Sequence, residues 1–407
     1  MNVYISVEIK YREFLSRLLT GAESALHGND VYLGDDEIFE LIEKKKLNPG
    51  IILLKSITPN KRRLSQLKNF KNNNCVITSL DEEGGIVQVN FNDFVKRRYS
   101  KKSLSYTDTV FCWGHFDYKN YIKIFPKIKK KFYVTGNPRF DLLDNKIANN
   151  FVSKKKSKNI KVVIISSYMV FARSLLLSDQ FTIKDKFKDD YHYDHFAFRA
   201  TMTTNYIKLL KKIINEFPKL EVDIWIHPNE NIDNWKKILP NKKNIKLTTG
   251  TKFLTKDKSD NTIFIHSGSG LAFNALLQEK TVISYQPIKS KWNSTLPNIN
   301  STIMKSDKEI IEFIKKQKFI KFKLNKKKLN ECYKIISNSN DYDASFKIAS
   351  HWENFKSRNL SKENHLSKII LKNKLRLLRQ KINYQVYNRK FPPFTYPELK
   401  KFKDILI

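Results

Sequence analysis

The amino-acid sequence predicts an α/β protein made of two Rossmann-like domains. Short apolar runs end in turn residues, the pattern of strands buried on both faces of a parallel sheet. Segments with apolar residues three and four apart lie between those runs, so strand and helix alternate. The chain has 407 residues, long for one core, and an Asn-, Lys- and Ser-rich stretch over 145–159 offers a linker. The expected domains are 1–150, an N-terminal Rossmann-like domain, and 151–355, a second one, followed by a basic helical tail over 356–407.

In chain order, residues 3–9 predict the first strand. Phe14, Leu15, Leu18, Leu19, Ala22, Ala25 and Leu26 then draw one apolar helical face, stopped by His27-Gly28-Asn29. Further strands are expected at 31–33, 51–54, 75–80, 110–113 and 132–134, with a basic helix over 60–70. In the second half, strands are expected at 162–165, 222–226, 262–265 and 282–285. Tyr206, Leu209, Leu210, Ile213, Ile214 and Phe217 mark an amphipathic helix ended near Pro218, and helical segments over 307–355 close the domain. In the tail, Leu371, Leu375, Leu378, Ile382 and Val386 share a helical face flanked by charge. Such a face suits an anionic membrane surface or packing across the other domain.

The 76 Lys and Arg against 40 Asp and Glu leave a formal charge of +36, which attracts phosphates of every kind. No recognition helix, RNP sequence or zinc finger accompanies that charge, so a non-catalytic nucleic-acid-binding protein is an alternative without a motif, and no specific nucleic acid is expected. Cys75, Cys112 and Cys332 are far apart and form no CxxC pair, which argues against a disulfide framework and a zinc ribbon. Met1-Asn2-Val3-Tyr4-Ile5 leads straight into a strand, and no apolar run reaches the length of a membrane span. The expectation is a cytoplasmic protein, soluble or peripheral on the inner face of a membrane.

Five stretches are candidates to carry chemistry. Ser79-Leu80-Asp81-Glu82-Glu83-Gly84-Gly85 ends an apolar run with three adjacent carboxylates and two glycines. Packing asks for no such cluster; a catalytic site does, and a solvated acidic turn is the plainer reading. His266-Ser267-Gly268-Ser269-Gly270 is a Gly/Ser turn between a strand and a helix, suited either to a phosphate or to a simple serine cap. His227-Pro228 leaves another strand, where the imidazole either donates to a phosphate oxygen or is structural. Gly136-Asn137-Pro138-Arg139-Phe140-Asp141 follows the last strand of the first half, as part of a site or as an Arg/Asp pair capping a helix. Tyr191-His192-Tyr193-Asp194-His195 is expected in a substrate-covering loop, its histidines being poorly spaced for a metal.

The motif order resembles that of bacterial sialyltransferases and related enzymes of CMP-activated sugars, which carry an acidic motif, an HP motif and a serine motif. Here these are Glu82-Glu83-Gly84, His227-Pro228 and Ser267-Gly268-Ser269. With residues 7–14, 79–85, 136–141 and 265–285, the chain is similar to the bacterial surface carbohydrate biosynthesis proteins. That group is related to the Kdo and nonulosonate transferases of capsule and lipopolysaccharide assembly. The resemblance implies a GT-B fold, two Rossmann-like domains with an interdomain cleft. It implies transfer of Kdo or a nonulosonic acid from a CMP-linked donor to a glycan or lipid-linked acceptor, with no metal or other cofactor required. It implies nucleotide binding by His227, Pro228, Ser267, Gly268, Ser269 and Gly270, and a catalytic carboxylate from Glu82 first, then Glu83 or Asp81. Glu8, Arg12, Asn137 and Arg139 are expected on the acceptor side. Related chains often carry a glutamate where Asn274 stands, a departure that bears on donor identity. The alternative within the fold is a UDP- or GDP-sugar glycosyltransferase or epimerase.

Overall fold

The computed structural model describes residues 1–84, 91–144, 147, 160–167, 190–227, 230–249, 261–317, 326–337 and 343–358. The chain forms two compact units. The first takes in Met1–Gly84, Asn90–Phe151 and Tyr333–Ile407, the second Gly85–Val89 and Val152–Cys332. The expected linker lies outside the described residues apart from Ile147, as does the tail beyond Arg358. No helix among the described residues is long and apolar enough to cross a membrane.

The first unit holds β1 (Asn2–Ser6), β2 (Asp30–Gly34), β3 (Ile51–Leu54), β4 (Val76–Leu80), β5 (Thr109–Cys112) and β6 (Phe132–Val134). They form one sheet in the order β2-β1-β3-β4-β5-β6, every pair parallel. Ile51, Ile52, Leu53 and Leu54 are all fully buried, as a central strand covered on both faces requires. The order reverses between β1 and β3, and beyond the carboxyl ends of such strands an open α/β sheet binds its ligands.

The Lys10–Leu26 helix departs from the apolar face expected of it. Leu15 is buried, but Leu26 is 83% exposed. The buried stripe is Glu13, Arg17, Thr20 and Ser24, four polar residues at helical spacing. Two neighbours explain it. Glu13 and Arg17 reach toward the acidic turn, and Thr20 meets Ser345 of the Ala344–Trp352 helix across 3.5 Å. Gly21 lets the helix lie close on β2, since a Cβ there would stand 3.1 Å from Val31 and 3.2 Å from Leu33.

The expected domain limit at 355 differs from the contact boundary, because the chain returns to the first unit at Tyr333. Ser337 N–H donates to the Trp113 carbonyl at 2.9 Å, and His351 meets Thr109 at 2.9 Å. Asp141 caps the incoming helix, accepting from Ala344 N–H at 3.2 Å and Ser345 N–H at 2.8 Å. Sequence alone ties that helix to its predecessor in the chain; the cap is supplied 203 residues away.

The second unit holds β7 (Lys161–Ile165), β8 (Glu221–Trp225), β9 (Ile245–Thr248), β10 (Thr262–His266), β11 (Thr281–Tyr285) and β12 (Thr302–Met304). The order is β12-β11-β10-β7-β8-β9, all parallel, with its reversal between β7 and β10. The edge strands β9 and β12 escape the sequence reading because they are short and only partly apolar. The helix with Tyr206 to Phe217 is longer than expected, running Asp190–Glu216. It therefore absorbs His192 to His195, expected as a loop, into its first turns. Leu209, Leu210, Ile213 and Ile214 pack with Val162, Ile164 and Ile224 in the core of this unit.

Replacing Asp141 by Ala removes a buried cap that no water reaches easily. The expected loss is about 1–3 kcal/mol in urea unfolding of the full chain. An unchanged midpoint would show that the returning helix holds without its cap.

Candidate functional site

In the first unit, the predicted site residues gather beyond the carboxyl ends of the strands, on the turns after β1, β4 and β6 and, for Arg12, in the first turn of the Lys10–Leu26 helix. The acidic turn is built by hydrogen bonds. Arg98 grips Asp81 with both arms, Nε to Oδ2 at 2.8 Å and Nη2 to Oδ1 at 2.7 Å. Asp81 Oδ1 also accepts the Glu83 N–H at 2.9 Å, closing an Asx turn. Trp113 Nε1–H donates to the Asp81 carbonyl at 2.7 Å. Gly84 fits because a Cβ there would stand 3.1–3.2 Å from the Trp113 ring. Burial pushes the Asp81 carboxyl up and the Arg98 fork opposes it. With both oxygens committed, Asp81 serves the shape of the turn.

Glu82 and Glu83 stand in different environments. Arg17 Nη2 donates to Glu82 Oε1 at 2.6 Å, with the two side chains 1% and 6% exposed. The Glu83 side chain is 41% exposed, 3.6 Å from Arg12 Nη1. Arg12 is held mainly by Glu13, Nη2 to Oε1 at 2.7 Å. Glu13 Oε2 meanwhile accepts the Glu8 N–H at 2.8 Å and caps its own helix. Burial and nearby Glu82 push the Glu13 carboxyl up, against the pull of Arg12. Glu8 itself pairs with Lys55 on the turn after β3. Asn137 Oδ1 accepts the Arg139 N–H at 2.9 Å, and the Arg139 guanidinium lies 5.0 Å from the ring centres of Trp113 and Phe140. Burial lowers the Arg139 guanidinium to about 10, against the pull of Glu82, so it stays charged near neutrality.

The sequence reading missed Arg17 and Trp113. Arg17 lies on the polar side of its helix, opposite the apolar face expected to be buried. Trp113 looks like an ordinary strand end, and its position depends on Asp117, whose Oδ2 accepts the Trp113 N–H at 3.2 Å. Asp117 is 1% exposed, and burial pushes its carboxyl up to about 8.

The second unit brings two of its predicted residues, Ser267 and Gly268, to its own switch point. A cavity of about 200 Å³ opens between the ends of β7 and β10 and the Asp190–Glu216 helix. Ser167, Ser267, Gly268, Thr295, His195 and Trp292 line it, with Phe198, Arg199, Met202, Thr203 and Tyr206 along the helix. The helical residues 195, 199, 202 and 206 share one face, a spacing that would have revealed them. The His195 and Trp292 rings are 4.7 Å apart. Among the described residues, Thr295 Oγ1 and the Tyr206 hydroxyl are buried without a hydrogen-bond partner.

The Gly/Ser turn spends most of its polar groups on itself. Gly268, at φ +79°, donates its N–H to Asn298 Oδ1 at 2.7 Å. Ser269 N–H donates to His266 Nδ1 at 3.3 Å, and Ser269 Oγ accepts the Leu271 N–H at 3.3 Å. His266 Nε2 meets Ser301 Oγ at 2.8 Å, and that hydroxyl donates to the Pro297 carbonyl at 2.8 Å. The network sets an Nε2–H tautomer, and burial lowers the imidazole to about 3, so His266 is neutral. The helix that follows, Ala272–Leu277, is short. Of the predicted nucleotide residues, Ser267 and Gly268 line the cavity; Ser269 and Gly270 do not, and Pro228 lies outside the described residues. His227 is placed by its backbone, its N–H donating to Ser166 Oγ at 2.8 Å. Ser166 in turn donates to Glu230 Oε2 at 2.7 Å, which also accepts Trp235 Nε1–H at 3.0 Å. Glu230, buried beneath the HP turn, carries no motif of its own in the sequence.

Neither a protein-family model nor a curated protein matches the sequence. Solved structures do resemble the fold. A Listeria monocytogenes protein named as a UDP-N-acetylglucosamine 2-epimerase superposes with a TM-score of 0.53 at 10% identity, over 89% of this chain and 98% of that one. A variant of the wall teichoic acid polymerase TagF superposes with a TM-score of 0.52 at 11% identity, over 87% of this chain and 88% of that one. At such identities the likeness is one of fold. Two six-stranded parallel sheets, each in its own α/β unit, are those of a GT-B protein.

Asp117 gives this fold a pH dependence. Its carboxyl is raised in the folded state above the unfolded value of about 3.9, so the folded chain prefers the protonated acid. The contribution to stability is complete below about pH 4 and is lost as pH rises through about 8, with a slope of up to about 1.4 kcal/mol per unit. Unfolding midpoints measured from pH 4 to 9 should fall less steeply in Asp117→Asn than in the native chain; parallel curves would remove Asp117 as the cause.

Proposed function

We propose that this chain is a glycosyltransferase using a nucleotide-activated sugar, its second unit binding the nucleotide and its first the acceptor. The observation that carries the reading is the cavity at the switch point of the second unit. It combines stacking surfaces, His195 and Trp292, with hydroxyls on Ser167, Ser267 and Thr295 and the charge of Arg199. Aromatic faces suit a base, and hydroxyls with a guanidinium suit the phosphates that depart with it. At about 200 Å³ it takes a ring-sized part of such a donor, the rest lying outside.

In the first unit Glu83, second choice to Glu82 in the sequence, is the carboxylate that takes the proton of an acceptor hydroxyl in this reading. It is exposed, and Arg12 holds it without enclosing it. Glu82 is committed to Arg17 and contributes negative charge that favours an oxocarbenium-like transition state. The acidic, HP and serine motifs favour a CMP-linked acidic sugar, Kdo or a nonulosonic acid, and an acceptor of surface polysaccharide assembly. The epimerase neighbour favours a second reading, a UDP-sugar transferase or epimerase, and the fold supports it at least as well. The charge of +36 suits a polyanionic acceptor or an anionic membrane surface.

Thermal unfolding with CMP, CDP, UDP and GDP separates the donor classes. The matching nucleotide at a hundredfold its dissociation constant should stabilise the chain by about 2.7 kcal/mol. Stabilisation by none would overturn the transferase reading. With the donor known, Glu83→Gln should lower turnover roughly a hundredfold or more with the unfolding temperature unchanged. Glu82→Gln should instead destabilise the fold, on the order of 3 kcal/mol, by stranding Arg17. A fully active Glu83→Gln would remove Glu83 as the base.

A further inference from the structure

Arg139 is a buried cation whose side chain donates no hydrogen bond among the described residues. It is 5% exposed, and Nε and Nη2 are buried without a partner. Trp113 and Phe140 hold its guanidinium at 5.0 Å from each ring centre. Contacts with ring faces support the charge but leave the N–H groups at its edge unused. The carboxylates that act on Arg139 have other partners: Glu82 pairs with Arg17, and Glu13 and Glu83 with Arg12. Leaving a guanidinium desolvated and without an ion pair is costly, and packing alone would favour a methionine or leucine against those rings. The arrangement is that of a fork fixed in advance for a planar or tetrahedral anion.

We infer that Arg139, set against the paired rings of Trp113 and Phe140, binds a carboxylate or phosphate on the molecule that the first unit takes up, so that this molecule is itself an acid. The inference rests on the reading that the first unit receives the acceptor. It adds the chemical class of that acceptor.

The test uses the full chain without nucleotide, at fixed ionic strength, so that it fails or succeeds apart from the donor site. Thermal unfolding is followed against glycerol 3-phosphate and glucuronate, with glycerol and glucose as their neutral counterparts. The native chain should be stabilised by at least one acid and by neither neutral compound, and the responding acid tells phosphate from carboxylate. Arg139→Met should unfold at the same temperature or higher, since it removes an uncompensated charge and keeps the packing. Its affinity for the acid should fall tenfold to a hundredfold, the loss expected for a charge-assisted pair. Arg139→Lys keeps the charge without the fork and should also lose about tenfold, which covers the case in which Arg139→Met does not fold. The inference is overturned if neither acid stabilises the native chain, if the shift survives undiminished in Arg139→Met or Arg139→Lys, or if Arg139→Met folds with a lowered unfolding temperature.

Discussion

Arg17 and Glu82 meet at 2.6 Å, almost without solvent, where the first helix passes the end of β4. Bringing both charges out of water is worthwhile only when the geometry is held from all sides. Much of the local structure does this holding. Arg98 fixes Asp81 and thereby the turn that aims Glu82. Trp113 fastens the same turn through the Asp81 carbonyl, and Asp117 fastens Trp113. The helix that carries Arg17 turns a polar stripe inward because the pair requires it. Its remaining polar residues are met by Ser345 and Asn29, at 3.5 Å from Thr20 and 3.2 Å from Ser24.

The second unit holds its turns through hydrogen-bond networks. A single oxygen of Glu230 gathers Ser166 and Trp235, and Ser166 gathers the backbone at His227. His266 does the same for the serine turn, joining it to Ser301. The amides that a Gly/Ser turn offers in the abstract are used here to stiffen it. The cavity beside the serine turn is lined by side chains: the hydroxyls of Ser167, Ser267 and Thr295, Arg199 and two aromatic rings.

Most of the fold was legible in the sequence because buried parallel strands need continuous apolar runs, and those runs are unmistakable in Ile51–Leu54 and Lys161–Ile165. The motif turns stand out because carboxylates, glycines and serines cluster at strand ends, although the structure gives Asp81, Gly84 and Ser269 parts in shaping those turns. Three things were not legible. Edge strands such as Thr302–Met304 carry too little apolar sequence to register. The inward face of Lys10–Leu26 was misread because hydrophobic periodicity assumes that what is buried is apolar. Partners distant in the chain, such as Asp141 with Ser345 or Ser166 with Glu230, leave no local trace at all.

The return of the chain at Tyr333 also orders events in time. The first unit contains the Ala344–Trp352 helix as an integral part, yet that helix is synthesised after the whole second unit. At ribosomal speed the roughly 200 residues between Phe151 and this helix take about 10–40 s to appear. During that interval the first sheet is complete, but Thr109, Thr20 and Asn29 still await His351, Ser345 and Glu353. The earlier-made unit is thus the later one to finish, and a nascent chain of this protein has its second unit closed while its first remains open to chaperones.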